Sequence, residues 1–206
     1  MKLLDGLQPK HFACLLVDVP WRFKSYSAVR SANPSSIRHV ERHYPTMSRE
    51  EIIRLPLRDL AAPTGCHLFM WSTGPMLPQA IETMAAWGFK YSGVAFTWVK
   101  LRRKFDPLQL RVLPSADGDF HVGLGLTTRK NCEFVLLGRR GNARRNSKKV
   151  RELIVAPVRE HSRKPDETRE RIEEYCDGPY LELFARSTRP GWICRGNEVD
   201  KFGIAA

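Results

Sequence analysis

Asp18 stands at the end of the apolar run Leu15, Leu16, Val17 and is followed by Val19, Pro20 and Trp21. A carboxylate at the carboxyl end of a buried strand lies where open α/β sheets bind ligands. Its oxygens and the backbone carbonyl of Val19 are two acceptors at a spacing that suits the two hydrogens of an amine, and Trp21 offers a flat face on which a base could stack. An amine attached to an aromatic ring is a poor nucleophile because its lone pair is delocalised. A site for it must hold both hydrogens, favour a pyramidal nitrogen and aim that nitrogen at an electrophile. Plainer readings stand beside this one: Asp18 as a turn or helix-cap residue, Trp21 as ordinary core.

Toward the other end, the run Tyr180 to Ala185 is followed at once by Arg186, and Lys164 directly precedes Pro165, which opens a helix. A lysine beside the free amides of a helix start suits a carboxylate, and an arginine at a strand end can reach polar atoms of a cofactor. Either is also readable as a solvated surface cation, and Asn197 with Glu198 after Gly196 as a turn. Gly123 and Gly125 make too sparse a pattern for a nucleotide-binding loop. The five cysteines are odd in number and widely spread, the six histidines show no ligand spacing, and no metal is expected.

The elements that must position these residues are short apolar runs between helical patterns, as in an α/β domain with a largely parallel sheet. Strands are expected over Ala13–Val17, Cys66–Trp71, Gly93–Val99, Cys132–Leu137, Leu153–Ala156 and Tyr180–Ala185. Met76, Leu77, Ala80, Ile81, Met84 and Ala85 make one apolar helical face that ends at Gly88. Ser48 and Glu51 form a capping box for a short helix through Arg54, closed by Pro56, and a further helix runs from Pro165 to Cys176. Ser25 to His43 and Leu101 to Thr128 read as long irregular segments.

With 206 residues, 42% of them hydrophobic, the chain is expected to form a single domain, residues 1–206. Nothing in it approaches the roughly 20 apolar residues of a membrane span or carries the apolar core of a leader, so a soluble, cytoplasmic protein is expected. Thirty-four Lys and Arg against 22 Asp and Glu give a formal charge of +12, which favours a polyanionic partner. The cations cluster at Lys100 to Lys104 and again from Arg139 to Arg151, where Arg144 and Arg145 are candidates for phosphate contact; a solvated face is the plainer reading.

Taken together, D-V-P-W at Asp18, H-Y-P-T-M-S at His43, L-F-M-W at Leu68, W-G-F at Trp87, T-W-V-K at Thr97, S-R-K-P-D-E at Ser162, E-L-F-A-R at Glu182 and G-W-I-C-R-G-N-E at Gly191 resemble the MT-A70 family of adenine-N6 methyltransferases over residues 12 to 199. The resemblance implies a Rossmann-like S-adenosylmethionine-dependent methyltransferase fold in circularly permuted order, a mostly parallel sheet with helices on both faces. It implies that Asp18, Val19, Pro20 and Trp21 stand at the family's D-P-P-W catalytic motif and that Lys164 binds the cofactor's methionine carboxylate. Arg186, Asn197 and Glu198 match further cofactor-binding positions, and Asn131 and Glu133 resemble positions beside the target base.

Two departures stand out: Val19 replaces the first proline of the motif, and the Asp-Ile contact that an N-terminal extension supplies in some relatives is not expected here. The implied activity is methylation of the N6 amine of adenine in DNA or RNA, DNA slightly preferred. The alternatives are a non-catalytic nucleic-acid-binding subunit with the same fold, and methylation of a small-molecule or protein amine. Whether the chain works as a homodimer or with a partner subunit is left open.

Overall fold

Every residue of Cys14–Val17 and nearly every residue of Gly65–Ser72 is buried, so the strands they form must be covered on both faces. The computed structural model, which describes residues 3–22, 45–104, 119–123, 128–160 and 162–203, shows how. Leu15, Val17, Leu68 and Met70 pack on one face against Ile52, Leu57, Ala80 and Met84. Cys14, Leu16, Phe69 and Trp71 pack on the other with Phe96, Trp98, Ile154 and Ile172.

The strands are β1 (Cys14–Val17), β2 (Gly65–Ser72), β3 (Lys90–Leu101), β4 (Cys132–Gly141), β5 (Leu153–Pro157), β6 (Tyr180–Leu183) and β7 (Trp192–Arg195). They form one sheet in the order β5-β3-β4-β2-β1-β6-β7. All run parallel except β4, which is antiparallel to both neighbours. The helices α1 (Arg49–Ile53), α2 (Leu57–Leu60) and α3 (Leu77–Ala86) contribute to the first face and α4 (Glu167–Tyr175) to the second. This is the expected Rossmann-like fold in permuted order. From β1 the chain moves to β2 on one side, and from β6 to β7 on the other, so a topological switch point lies between the carboxyl ends of β1 and β6.

Local chemistry accounts for the helix ends. Ser48 Oγ accepts from the Glu51 amide at 3.2 Å and the Glu51 carboxylate accepts from the Ser48 amide at 2.7 Å, the expected capping box. Gly88, at φ +80°, supplies the left-handed residue just past α3. Two elements exceed the expectation. Pro56 does not only close α1 but leads directly into α2, and Trp192–Arg195 forms an edge strand too short to show a period. The last helix begins at Glu167 rather than Pro165, with Asp166 as its cap. Strands β3 and β4 run longer than expected, and β3 absorbs two register shifts. The segment Ser25 to His43, and most of Leu101 to Thr128, lie outside the described residues.

Candidate active site

Because six strands are parallel and β4 is reversed, the carboxyl ends of β1, β2, β3, β5, β6 and β7 share one edge of the sheet with the start of β4. Asp18 leaves β1 there, its amide bonded to the carbonyl of Leu183 on β6 at 3.5 Å, which puts it on the switch point. Three adjoining cavities meet at Asp18. The largest, about 480 Å³, extends over β2, β3 and β4; the other two lie on the β6 side.

A chain of alternating charges crosses this edge. Lys164 Nζ lies 3.1 Å from Asp18 Oδ2 and 3.0 Å from Glu133 Oε2, and the other Glu133 oxygen pairs with Lys100. Burial pushes the Glu133 carboxyl up, but Lys164 and Lys100 outweigh it and hold it at about 2. Burial likewise disfavours the Lys164 cation, and Asp18 and Glu133 overcome this, raising its pKa above the ordinary lysine value. Lys164 Nζ also lies 5.2 Å from the centre of the Trp71 ring, and Lys100 Nζ lies 4.9 Å from that of Trp98.

Val19 is 4% exposed, so its side chain anchors the turn after β1 in the core. Its carbonyl accepts from the Trp21 amide at 2.9 Å, leaving one lone pair for a further donor. Pro20 O accepts from the Met47 amide at 2.9 Å, and Trp21 pairs with Met47 in an isolated bridge. Trp21 packs in the core and borders the large cavity. Further aromatic walls come from Trp71 and Trp98, whose rings meet edge-on at 6.2 Å. These two, with Lys100, Ser72 and His121, are site residues that the residue-by-residue reading missed. The signal was present, since Trp71 closes the L-F-M-W segment and Trp98 and Lys100 lie in T-W-V-K.

On the β6 side, Arg186 borders both smaller cavities and its guanidinium pairs with Glu198 at 3.0 Å. Asn197 and Glu198 line one of these cavities together with the apolar residues Leu3, Pro20, Met47 and Phe184. Polar acceptors beside apolar walls fit a nucleoside half. The Lys164 cation at the junction fits a carboxylate, so the donor set suits S-adenosylmethionine. Beneath them Arg169 ties α4 to β6: its Nε donates to Glu182 at 2.7 Å and its Nη atoms to Ser187 Oγ at 3.1 Å. Burial, only partly offset by Arg169, pushes the Glu182 carboxyl up to about 7, with Asp18 and Asp166 adding to the rise.

The structure thus gathers Asp18, Val19, Trp21, Glu133 and Lys164 around the large cavity, and Asp18, Pro20, Arg186, Asn197 and Glu198 around its neighbour. Asn131 is exposed and lines neither, although its carbonyl accepts from the Lys100 amide at 2.9 Å. Arg144 and Arg145 are not brought to the site. They follow the far end of β4, at the opposite edge of the sheet, because β4 runs away from the cleft.

A family model for MT-A70 matches residues 12–198. The chain is 29% identical to the type II methyltransferase M.MunI of Mycoplasma sp, over 96% of this chain and 82% of that protein. It is 31% identical to the N(6)-adenine-specific methyltransferase METTL4 of Homo sapiens, over 94% of this chain and 38% of that protein. To the N(6)-adenosine-methyltransferase catalytic subunit METTL3 of Homo sapiens it is 28% identical, over 92% of this chain and 28% of that protein. It therefore spans most of M.MunI and well under half of either human relative.

Proposed function

This chain belongs to the MT-A70 family, and from that premise we propose that it methylates the N6 amine of adenine in DNA, using S-adenosylmethionine. Membership supports the coarser statement, an S-adenosylmethionine-dependent adenine-N6 methyltransferase acting on nucleic acid. The choice of DNA is ours, and rests on the likeness to M.MunI along most of that protein's length. One observation carries the site assignment: Asp18 is the point at which a nucleoside-sized polar and apolar cavity meets a larger aromatic one.

The cofactor, when bound, supplies a methyl group on a sulfonium, which is already electrophilic. Arg186, Asn197, Glu198 and Lys164 would hold it. What remains for the chain is alignment. A target adenine in the large cavity, which Trp21, Trp71 and Trp98 border, would place one amine hydrogen on the Asp18 carboxylate and the other on the free lone pair of the Val19 carbonyl. Those acceptors draw density toward the nitrogen and set its direction. The proton that the nitrogen sheds on becoming a secondary amine has Asp18 as its nearest acceptor. Glu133, ionised and clamped by two lysines, keeps Lys164 in reach of Asp18. Rates on DNA and RNA strands of the same sequence test the polymer choice. A higher kcat/KM on DNA supports it and a higher one on RNA overturns it.

A further inference from the structure

The basic loop that the cleft does not use has the properties of a binding surface. Arg144, Arg145, Lys148 and Lys149 are exposed, and among the described residues none of them is in an ion pair. Two nearby acids bond to neutral residues of the loop, Asp177 accepting from Asn146 at 2.7 Å and Glu174 from Ser147 at 3.0 Å, so they offset part of its charge and leave it net positive. Arg139 and Arg140, at the end of β4, bond to Ser92 Oγ and the Arg58 carbonyl, which leave their charge uncompensated.

The loop is also held in place. The Asn142 amide donates to Thr64 at 2.9 Å and the Asn146 amide to Tyr175 at 2.7 Å. Its backbone lies so close to β2 that a Cβ on Gly65 would fall 2.5 Å from the Ala143 nitrogen. A net-positive array of cations, none held in an ion pair among the described residues, on an anchored backbone is suited to repeated phosphates, because little ordering remains to be done on binding and each contact releases counterions.

Its distance from the target site sets its role. From Glu133, in the cleft, β4 (Cys132–Gly141) runs on to this edge over roughly 27 Å, or about eight base pairs of duplex. We propose that the loop after β4 is a second, remote contact for the sugar-phosphate backbone of the substrate. Substrate length, as well as the target base, then determines affinity. The inference rests on the reading of the chain as acting on nucleic acid.

The test compares a duplex of about 30 base pairs with a hairpin of about 4, roughly 14 Å long and too short to reach both sites. Fluorescence anisotropy gives affinity, and methyl transfer is followed in parallel. The parent is expected to bind the long duplex at least about tenfold more tightly than the short one. Joint replacement of Arg144, Arg145, Lys148 and Lys149 by Ala should collapse that ratio toward one, raise KM rather than lower kcat, and reduce the salt slope by about three to four. The same positions exchanged between Arg and Lys should keep the ratio. A parent that binds both lengths alike, or an alanine variant that keeps its length preference, overturns the remote contact even if methyl transfer is found. A length preference lost in the variant, with no methyl transfer to either duplex, upholds the contact and counts against the enzyme reading.

Discussion

The Lys164 ammonium lies 3.1 Å from the Asp18 carboxylate, so the cation assigned to the cofactor and the acid assigned to the amine are in direct contact. Lys164 also holds Glu133, and Lys164→Ala would leave that carboxyl with Lys100 alone. The Glu133 pKa, held at about 2, should then rise, which carboxyl-carbon NMR titration reads directly. Cofactor affinity should fall about 10- to 100-fold, the worth of a charged contact of roughly 1.5 to 3 kcal/mol. Unchanged affinity by calorimetry would remove Lys164 from the cofactor site.

Arg186→Ala should weaken the cofactor by a similar factor for a different reason. Its guanidinium orders Glu198 across the nucleoside-sized cavity, so both groups are disturbed. Arg186→Lys, which keeps the charge but not the planar fork, should recover only part of the loss. Full recovery would mean that charge alone matters there.

Glu182 predicts a pH dependence of stability. Its folded pKa of about 7 exceeds the ordinary 4.5, so the folded chain binds this proton more tightly than the unfolded one. Stability should therefore fall as pH rises from about 4.5 to about 7 and level off above, with a slope of at most about 1.4 kcal/mol per pH unit from this group. Melting temperatures of Glu182→Gln should lose that component. A variant with the parent's pH profile would show that Arg169 keeps Glu182 ionised.

Val19→Pro tests the departure from the family motif. The Val19 amide makes no backbone hydrogen bond among the described residues, and Pro20 already biases it to an extended conformation. Proline should change turnover by no more than about tenfold, about 1.4 kcal/mol of barrier. A silent parent rescued by proline would favour the non-catalytic alternative.

Much of the site was legible because strand ends carry it. Asp18 and Arg186 each follow a short apolar run, and a parallel sheet brings such ends to one edge, whereas Glu198 reads as a turn residue and was marked only by the family resemblance. Lys100 and Arg144 show where charge clustering misleads. Both lie in basic segments, yet Lys100 is drawn into the cleft by Glu133 while Arg144 is carried to the far edge by the reversed strand β4. Strand direction is a property of the sheet, so the sequence of β4 alone does not reveal it. For Trp21 the sequence left core and stacking readings both open, since Met47, its bridge partner, lies 26 positions along the chain.

Asp18→Ala, assayed beside the parent, tests the central claim most directly. DNA and RNA are incubated with methyl-labelled cofactor and their nucleosides resolved by mass spectrometry. The parent should yield labelled N6-methyladenine, and the variant, folded and still binding cofactor, should be slower by about 10² to 10³ because one of two acceptors for the amine is gone. No labelled methyladenine from the parent on either polymer, or equal rates for parent and variant, would contradict the account.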